Sequence, residues 1–205
     1  MPQVPFAPVS VNRELGLLLG AEQRRSPYYD ERPSPDDISL LVIHGISLPP
    51  GEFGGPAIDR LFLGSLDFDA HPYFQQIRGL RVSSHLLIRR DGELVQYVPL
   101  DKRAWHAGVS AFEGRERCND YAIGVELEGT DDVPYTEAQY AQLNRVAAVI
   151  VRAYPGITPA RIVGHNDIAP GRKTDPGPHF DWPRFRRELS LALQNNDTML
   201  AGREP

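Results

Sequence analysis

The stretch Ile38-Ser-Leu-Leu-Val-Ile-His44 decides the fold. Ile38 to Ile43 is a nearly continuous apolar run rich in β-branched residues. That pattern predicts a strand buried on both faces, as in a sheet covered by helices on either side. His44 stands directly at the end of the run. A second short run, Arg161 to Gly164, also ends on a histidine, His165. Tyr121 to Leu127 (YAIGVEL) reads as another strand. Val82 to Arg90 and Glu93 to Val98 read as two more, joined by Asp91-Gly92, a hairpin signal whose glycine tolerates the positive φ of a type I′ turn.

Helical signals alternate with these strands. Short helices are expected around 56–63 and 71–79. Thr136-Glu-Ala-Gln139 reads as a capping box. Tyr140, Leu143, Ala147, Ile150, Val151 and Tyr154 then recur at spacings of three and four, up to Pro155-Gly156. A last helix is expected from Asp181 to Leu193, after a proline-rich loop. Residues 1–36 read as an arm with little regular structure, apart from a possible strand at 15–19. Residues 37–193 read as the main domain, and 194–205 as a polar, frayed tail. No internal repeat is present. The expectation is one α/β domain with a mixed central sheet flanked by helices.

Composition narrows the function. The 205 residues carry a net charge of −5, with 41% hydrophobic and 24% charged residues, which is ordinary for a globular protein able to bury a core without staples. Basic residues occur as short pairs such as Arg24-Arg25, Arg89-Arg90 and Arg186-Arg187. That argues against nucleic acid as a partner. Tyr97 and the Arg89-Arg90 pair read as sheet packing and surface charge. Cys118 is the sole cysteine, so no intrachain disulfide forms. Leu15 to Ala21 lacks both the basic flank and the cleavage pattern of a secretory signal, and no stretch reaches membrane-spanning length. The chain reads as cytoplasmic, with no membrane and no obligate protein partner.

Six histidines are present: His44, His71, His85, His106, His165 and His179. An isolated histidine more often serves structure than chemistry. His44 and His165, however, follow buried-strand patterns, where α/β sheets present residues to a cleft. Asp175, in Lys173-Thr-Asp-Pro-Gly177, can be a turn carboxylate or a third ligand. Two imidazoles and a carboxylate suit Zn²⁺ with an open fourth position. A competing set is His165-Asn-Asp167 with His179 as an iron facial triad, although the many-stranded jelly roll expected around it is not indicated. The absence of H-E-x-x-H excludes a zincin protease. Glu126 and Glu128 share a strand face by parity, and a carboxylate in so apolar a strand needs a partner. Spacing alone does not choose between them.

Four long motifs add a resemblance: LLVIHGISLPPGEFGG (40–55), LIRRDGELVQYVPLDKRAWHAGVS (87–110), GRERCNDYAIGVELEGTD (114–131) and GHNDIAPGRKTDPGPHFDW (164–182). From about Arg24 to about Leu189 the chain resembles the cytoplasmic N-acetyl-anhydromuramyl-L-alanine amidases of the type-2 amidase and peptidoglycan-recognition fold family. The resemblance implies a single mixed-sheet domain with zinc on His44, His165 and Asp175. It implies Glu126 as catalytic acid/base and Lys173 as the lysine assisting the carbonyl. Arg81, Trp105 and Arg117 fall on positions that contact sugar and peptide. The implied substrate is a small soluble anhydromuropeptide, and the implied role is cell-wall recycling, which in some bacteria also limits fragments that induce a β-lactamase. Position 45 is Gly where the family usually has a substrate-holding Asn. Asn166, where relatives often have Cys, reads as neutral. The rivals are a recognition module that binds muropeptide without cutting it and an amidase acting on intact wall.

Overall fold

Residues 6–201 are described by the computed structural model. Four short strands come first: β1 (Ser10–Asn12), β2 (Leu17–Leu19), β3 (Glu22–Gln23) and β4 (Tyr29–Asp30). They are followed by β5 (Leu40–Ile46), helices α1 (Ala57–Phe62) and α2 (Pro72–Gln76), then β6 (Leu86–Ile88) and β7 (Leu94–Gln96). Three two-residue strands lead to the long central strand: β8 (Arg103–Ala104), β9 (Ala111–Phe112), β10 (Arg115–Glu116) and β11 (Ala122–Glu128). The chain ends with α3 (Glu137–Ala153), β12 (Ile162–Gly164), α4 (His165–Ile168) and α5 (Trp182–Ala201). The expected tail from 194 is thus helical as far as Ala201, and residues 202–205 lie outside the described residues.

The main sheet has the order β12-β5-β11-β6-β7-β3. Its neighbours run parallel except the β6–β7 hairpin, so the sheet is mixed. Side-chain alternation then sorts the faces. Leu41 and Ile43 of β5, with Ile123, Val125 and Leu127 of β11, enter a core closed by α3 and α5. Leu40 and Val42, with Ala122, pack on the opposite face against Ala107, Cys118, Tyr121 and Ile168. Further along that second face, two residues after Val42 and four after Ala122, stand His44 and Glu126, which are direct cross-strand partners. The apolar run therefore decides more than the fold: its parity aims His44 away from the α3/α5 core.

The capping box forms as read. The Thr136 hydroxyl accepts from Gln139 N at 3.1 Å, and the Gln139 side chain accepts from Thr136 N at 3.0 Å. Of the expected stripe, Tyr140, Leu143, Ala147, Ile150 and Tyr154 are buried, while Val151 only lies against the edge of the core. The hairpin differs in turn type. Gly92 N donates to Arg89 O and Arg89 N to Glu93 O, each at 2.9 Å. Gly92 has φ 90°, whereas Arg90 and Asp91 keep negative φ. The connection is therefore a three-residue type I turn with a left-handed glycine, not a two-residue I′ turn.

Arg89 also departs from expectation. It is buried, donating to Glu128 Oε1 at 3.1 Å and to Asp59 Oδ2 at 2.5 Å. Tyr97, also buried, donates its hydroxyl to the same Asp59 carboxylate. Arg90 donates to Pro134 O and lies over Phe53.

The N-terminal segment is woven into the domain. β3 adds an edge strand to the main sheet through β7, and β4 pairs with β8. Arg32 is buried and donates to four carbonyl oxygens: Asn119, Asp120, Leu100 and Ala122, at 2.9–3.2 Å. Burial pushes its guanidinium down to about 10. Arg32→Ala leaves those carbonyls without their donor. It is expected to cost about 3 kcal/mol, or roughly 6–12 °C in Tm for a domain of this size. Thermal unfolding checks this, and a shift below about 2 °C would show that Arg32 does not hold the segment.

Candidate active site and metal centre

Three donor atoms from separate elements meet at the ends of β5, β12 and the following loop. His44 Nδ1 lies 3.0 Å from His165 Nδ1 and 3.3 Å from Asp175 Oδ2, and His165 Nδ1 lies 3.0 Å from the same oxygen. Among the described residues these three form the group able to hold a metal ion. Local structure explains the convergence. His165 is carried where β12 turns into α4, and Asn166 N donates to Asp175 O at 3.0 Å, tying the 170–177 loop to that turn. Asp167, the rival ligand of the H-x-D reading, is taken up elsewhere: its carboxylate accepts from Gly164 N at 2.7 Å and caps α4. His179 is exposed. The iron triad is not assembled.

Hydrogen-bond chemistry tests whether a cation fits the three donors. His165 Nε2 faces Ala107 O at 3.3 Å. A carbonyl only accepts, so Nε2 carries the proton and His165 Nδ1 presents a lone pair. His44 Nε2 faces His106 Nδ1 at 2.9 Å, so it too can donate outward and leave Nδ1 bare. Two lone pairs and a carboxylate then point at one place with no proton between them, an arrangement that a cation completes. Partners on the far ring nitrogens are what metal-bound histidines require.

The electrostatics agree. Burial raises the Asp175 carboxyl, but the two imidazoles packed beside it, His165 and His44, outweigh that and hold it far below the usual carboxylate range. Burial pushes the His44 imidazole down to about 4, keeping it neutral. Glu126 is held well above the carboxylate range, first by burial and then by the Asp175 charge. Its Oε1 stands 4.0 Å from His44 Nδ1. Glu128, of the same parity, is committed instead to Arg89 and to the amides of Gly54 and Arg90.

A cleft of about 210 Å³ opens over this group and is lined by His44, Glu126, His165, Lys173, Asp175 and Trp105, among others. Lys173 is exposed, and its charge favours an ionised Glu126. Trp105 stacks on Tyr28 with centroids 6.0 Å apart and donates from its indole to Asp30 at 3.3 Å. Arg81 is exposed next to Val82 and Ser83 of the cleft wall. Arg117 stands apart from these residues, with φ 59°, paired to Asp120 at 3.0 Å, on the wall of a separate hollow it shares with Gly108 and Arg172. At Gly45 an added Cβ would lie 2.5 Å from the Tyr135 hydroxyl, which donates to Pro176 O next to Asp175. The Tyr135 hydroxyl thus occupies the space over the strand where a side chain at 45 would begin.

Sequence reasoning did not single out Tyr135, Arg32 or His106. His106 lies in Trp105-His-Ala-Gly108, outside any strand-end pattern, and only its fold neighbours mark it. His71 is structural, accepting from Tyr73 N at the start of α2. His85 accepts from Gly124 N at 3.0 Å through Nδ1, and its Nε2 faces both Lys102 O at 3.0 Å and the Arg32 guanidinium at 3.1 Å, a structural role.

Comparison with known proteins shows the family to which the chain belongs. Residues 34–178 match the family described as N-acetylmuramoyl-L-alanine amidase. A Salmonella typhimurium protein named 1,6-anhydro-N-acetylmuramyl-L-alanine amidase AmpD is 62% identical over 183 residues, 89% of this chain and 97% of the relative. A crystal structure of a selenomethionine AmpD derivative superposes with TM-score 0.84 at 60% identity, covering 87% of this chain and 98% of that one. The Escherichia coli amidase AmiD, in complex with anhydro-N-acetylmuramic acid-L-Ala-D-γ-Glu-L-Lys, superposes with TM-score 0.55 at 30% identity, covering 96% of this chain and 73% of that one. Taken with the His/His/Asp cluster, the matched span places the chain in the N-acetylmuramoyl-L-alanine amidase family.

Proposed function

We propose that this amidase hydrolyses the bond between the lactyl group of 1,6-anhydro-N-acetylmuramic acid and L-alanine in soluble muropeptides. In this reading it uses one zinc ion on His44, His165 and Asp175 and serves cell-wall recycling in the cytoplasm. The observation that carries it is the triangle of bare donors with Glu126 beside it. Zinc–ligand bonds of about 2.0–2.2 Å in a tetrahedron would place neighbouring donors roughly 3.3–3.6 Å apart. The sides found are 3.0, 3.0 and 3.3 Å. Relatives support the substrate, through the AmpD name and the anhydromuropeptide held by AmiD. Among the described residues no helix is long and apolar enough to cross a membrane.

When bound, the zinc supplies Lewis acidity, acidifying a water and polarising the scissile carbonyl. The remaining work falls to the chain. Glu126 takes the proton of the attacking water and returns it to the alanine nitrogen, without which the amine does not leave. Burial favours the protonated form it holds between those two transfers. Lys173 places its ammonium at the cleft wall, where it stabilises the oxyanion that develops on the carbonyl. The Trp105 ring, held by Tyr28 and Asp30, offers a flat apolar platform for the sugar, with Arg81 beside it, whereas Arg117 stays on the separate hollow it shares with Gly108 and Arg172.

Incubation with a purified anhydromuropeptide and, separately, with intact sacculi, each with and without a chelator, tests the reading. Free anhydromuramic acid and peptide by mass spectrometry, chelator-sensitive and with sacculi cut at least tenfold more slowly, is the expected result. Binding without cleavage would make the protein a recognition module. Equal cleavage of sacculi would move its role to intact wall.

A further inference from the structure

His106 is a buried histidine that the mechanism above leaves unused. Its Nδ1 lies 2.9 Å from His44 Nε2, and the two rings meet edge-on at 87° with centroids 4.9 Å apart. The surrounding chain is shaped to hold that ring in place. Gly124 of β11 lies beneath it: a Cβ there would come within 2.6 Å of His106 Cγ, so the strand leaves out a side chain where the imidazole sits. Asn119 Oδ1 accepts from the backbone amides of both His106 and Ala107, at 3.1 and 2.8 Å. His106 Nε2, on the far edge of the ring, is buried and has no hydrogen-bond partner among the described residues.

That unpartnered nitrogen is informative. Stability alone gives no reason to bury an imidazole with one nitrogen unsatisfied where an apolar side chain would fit. Among the described residues the ring's only hydrogen-bond contact is with His44. A neutral His106 with Nδ1 bare accepts the Nε2–H of His44, which leaves His44 Nδ1 bare and directed at His165 and Asp175. The opposite arrangement, with His106 Nδ1–H donating, sends a proton onto His44 Nδ1, into the centre of the donor triangle.

We propose that His106 is a positioning residue for the metal centre: through Nδ1 it accepts the His44 Nε2 proton and so fixes the His44 tautomer and ring orientation that bind the ion. The proposal rests on the metal reading above. It needs an acceptor at that one position and no change of charge.

Zinc affinity of the full chain, measured by competition with a chelating dye, tests this with His106→Leu and His106→Asn. Leucine fills the space without an acceptor, whereas the asparagine oxygen stands at the same bond from Cγ as Nδ1. The expected result is zinc binding weakened about 10–100-fold in His106→Leu and restored to within about threefold of the parent in His106→Asn. The cobalt-substituted visible spectrum should change in the former and return in the latter. Parental affinity in a folded His106→Leu overturns the proposal, as does equal loss in both variants. If His106→Leu does not fold by circular dichroism, His106→Asn decides: parental affinity supports the assignment, and a tenfold loss overturns it. A parent chain that binds no zinc removes the metal reading itself, a distinct outcome.

Discussion

Glu126→Gln is expected to keep its zinc and its fold while losing about 10²–10⁴-fold in kcat, the range that a positioned general acid–base supplies. The substitution is isosteric, and among the described residues Glu126 makes no short polar contact that an amide would break: its neighbour among the metal donors is His44 Nδ1 at 4.0 Å. A side chain so buried, with no committed hydrogen bond, in a strand whose other residues are apolar, glycine or the paired Glu128, costs stability unless it serves chemistry. Glu128→Gln is the internal control. That carboxylate answers Arg89 and two backbone amides, so its loss should lower Tm and leave turnover per folded molecule near the parent's. Steady-state kinetics on one synthetic anhydromuropeptide, with zinc content measured on the same samples, separates the two. Turnover within about threefold of the parent in fully metallated Glu126→Gln would remove Glu126 from the reaction.

Parity made Glu126 and Glu128 legible as a pair, and spacing did not divide them; only the resemblance favoured Glu126. The division is made by Arg89, which arrives from the β6 hairpin at 3.1 Å from Glu128. A long-range contact of that kind leaves no periodic trace in either segment. The same holds for Arg89 itself. Beside Arg90 it reads as surface charge, yet Asp59 and Glu128 make a buried site for it. Elements with local causes were readable: the apolar run of β5, the capping box of α3, and the histidines at strand ends. The hairpin was readable as a hairpin, but its turn type depended on whether one or two residues adopt positive φ, which Asp-Gly permits either way. The H-x-D alternative was open until the fold showed Asp167 capping the helix that His165 begins. His106 carried no local signal at all, because its neighbours Gly124 and His44 stand on strands distant from it in sequence.

Removing a ligand should have the other large effect. His165→Ala is expected to drop zinc occupancy from about one per chain to trace levels after dialysis against a weak chelator. A three-donor site whose binding free energy is of the order of 10 kcal/mol loses roughly a third of it with one ligand, about 10²–10³-fold in affinity. The geometry adds a reason for a cost at least that large. Asp175 Oδ2 is shared between His165 and His44, at 3.0 and 3.3 Å, so deleting His165 also frees the carboxylate to turn. Asp167→Asn serves as the comparison, since Asp167 sits two residues away yet only caps α4. It should cost about 1 kcal/mol or less in stability and leave zinc stoichiometric. Elemental analysis of the two variants therefore tests the ligand set directly. Full occupancy in His165→Ala, or zinc lost from Asp167→Asn, would mean that the ion is held by a different set of donors.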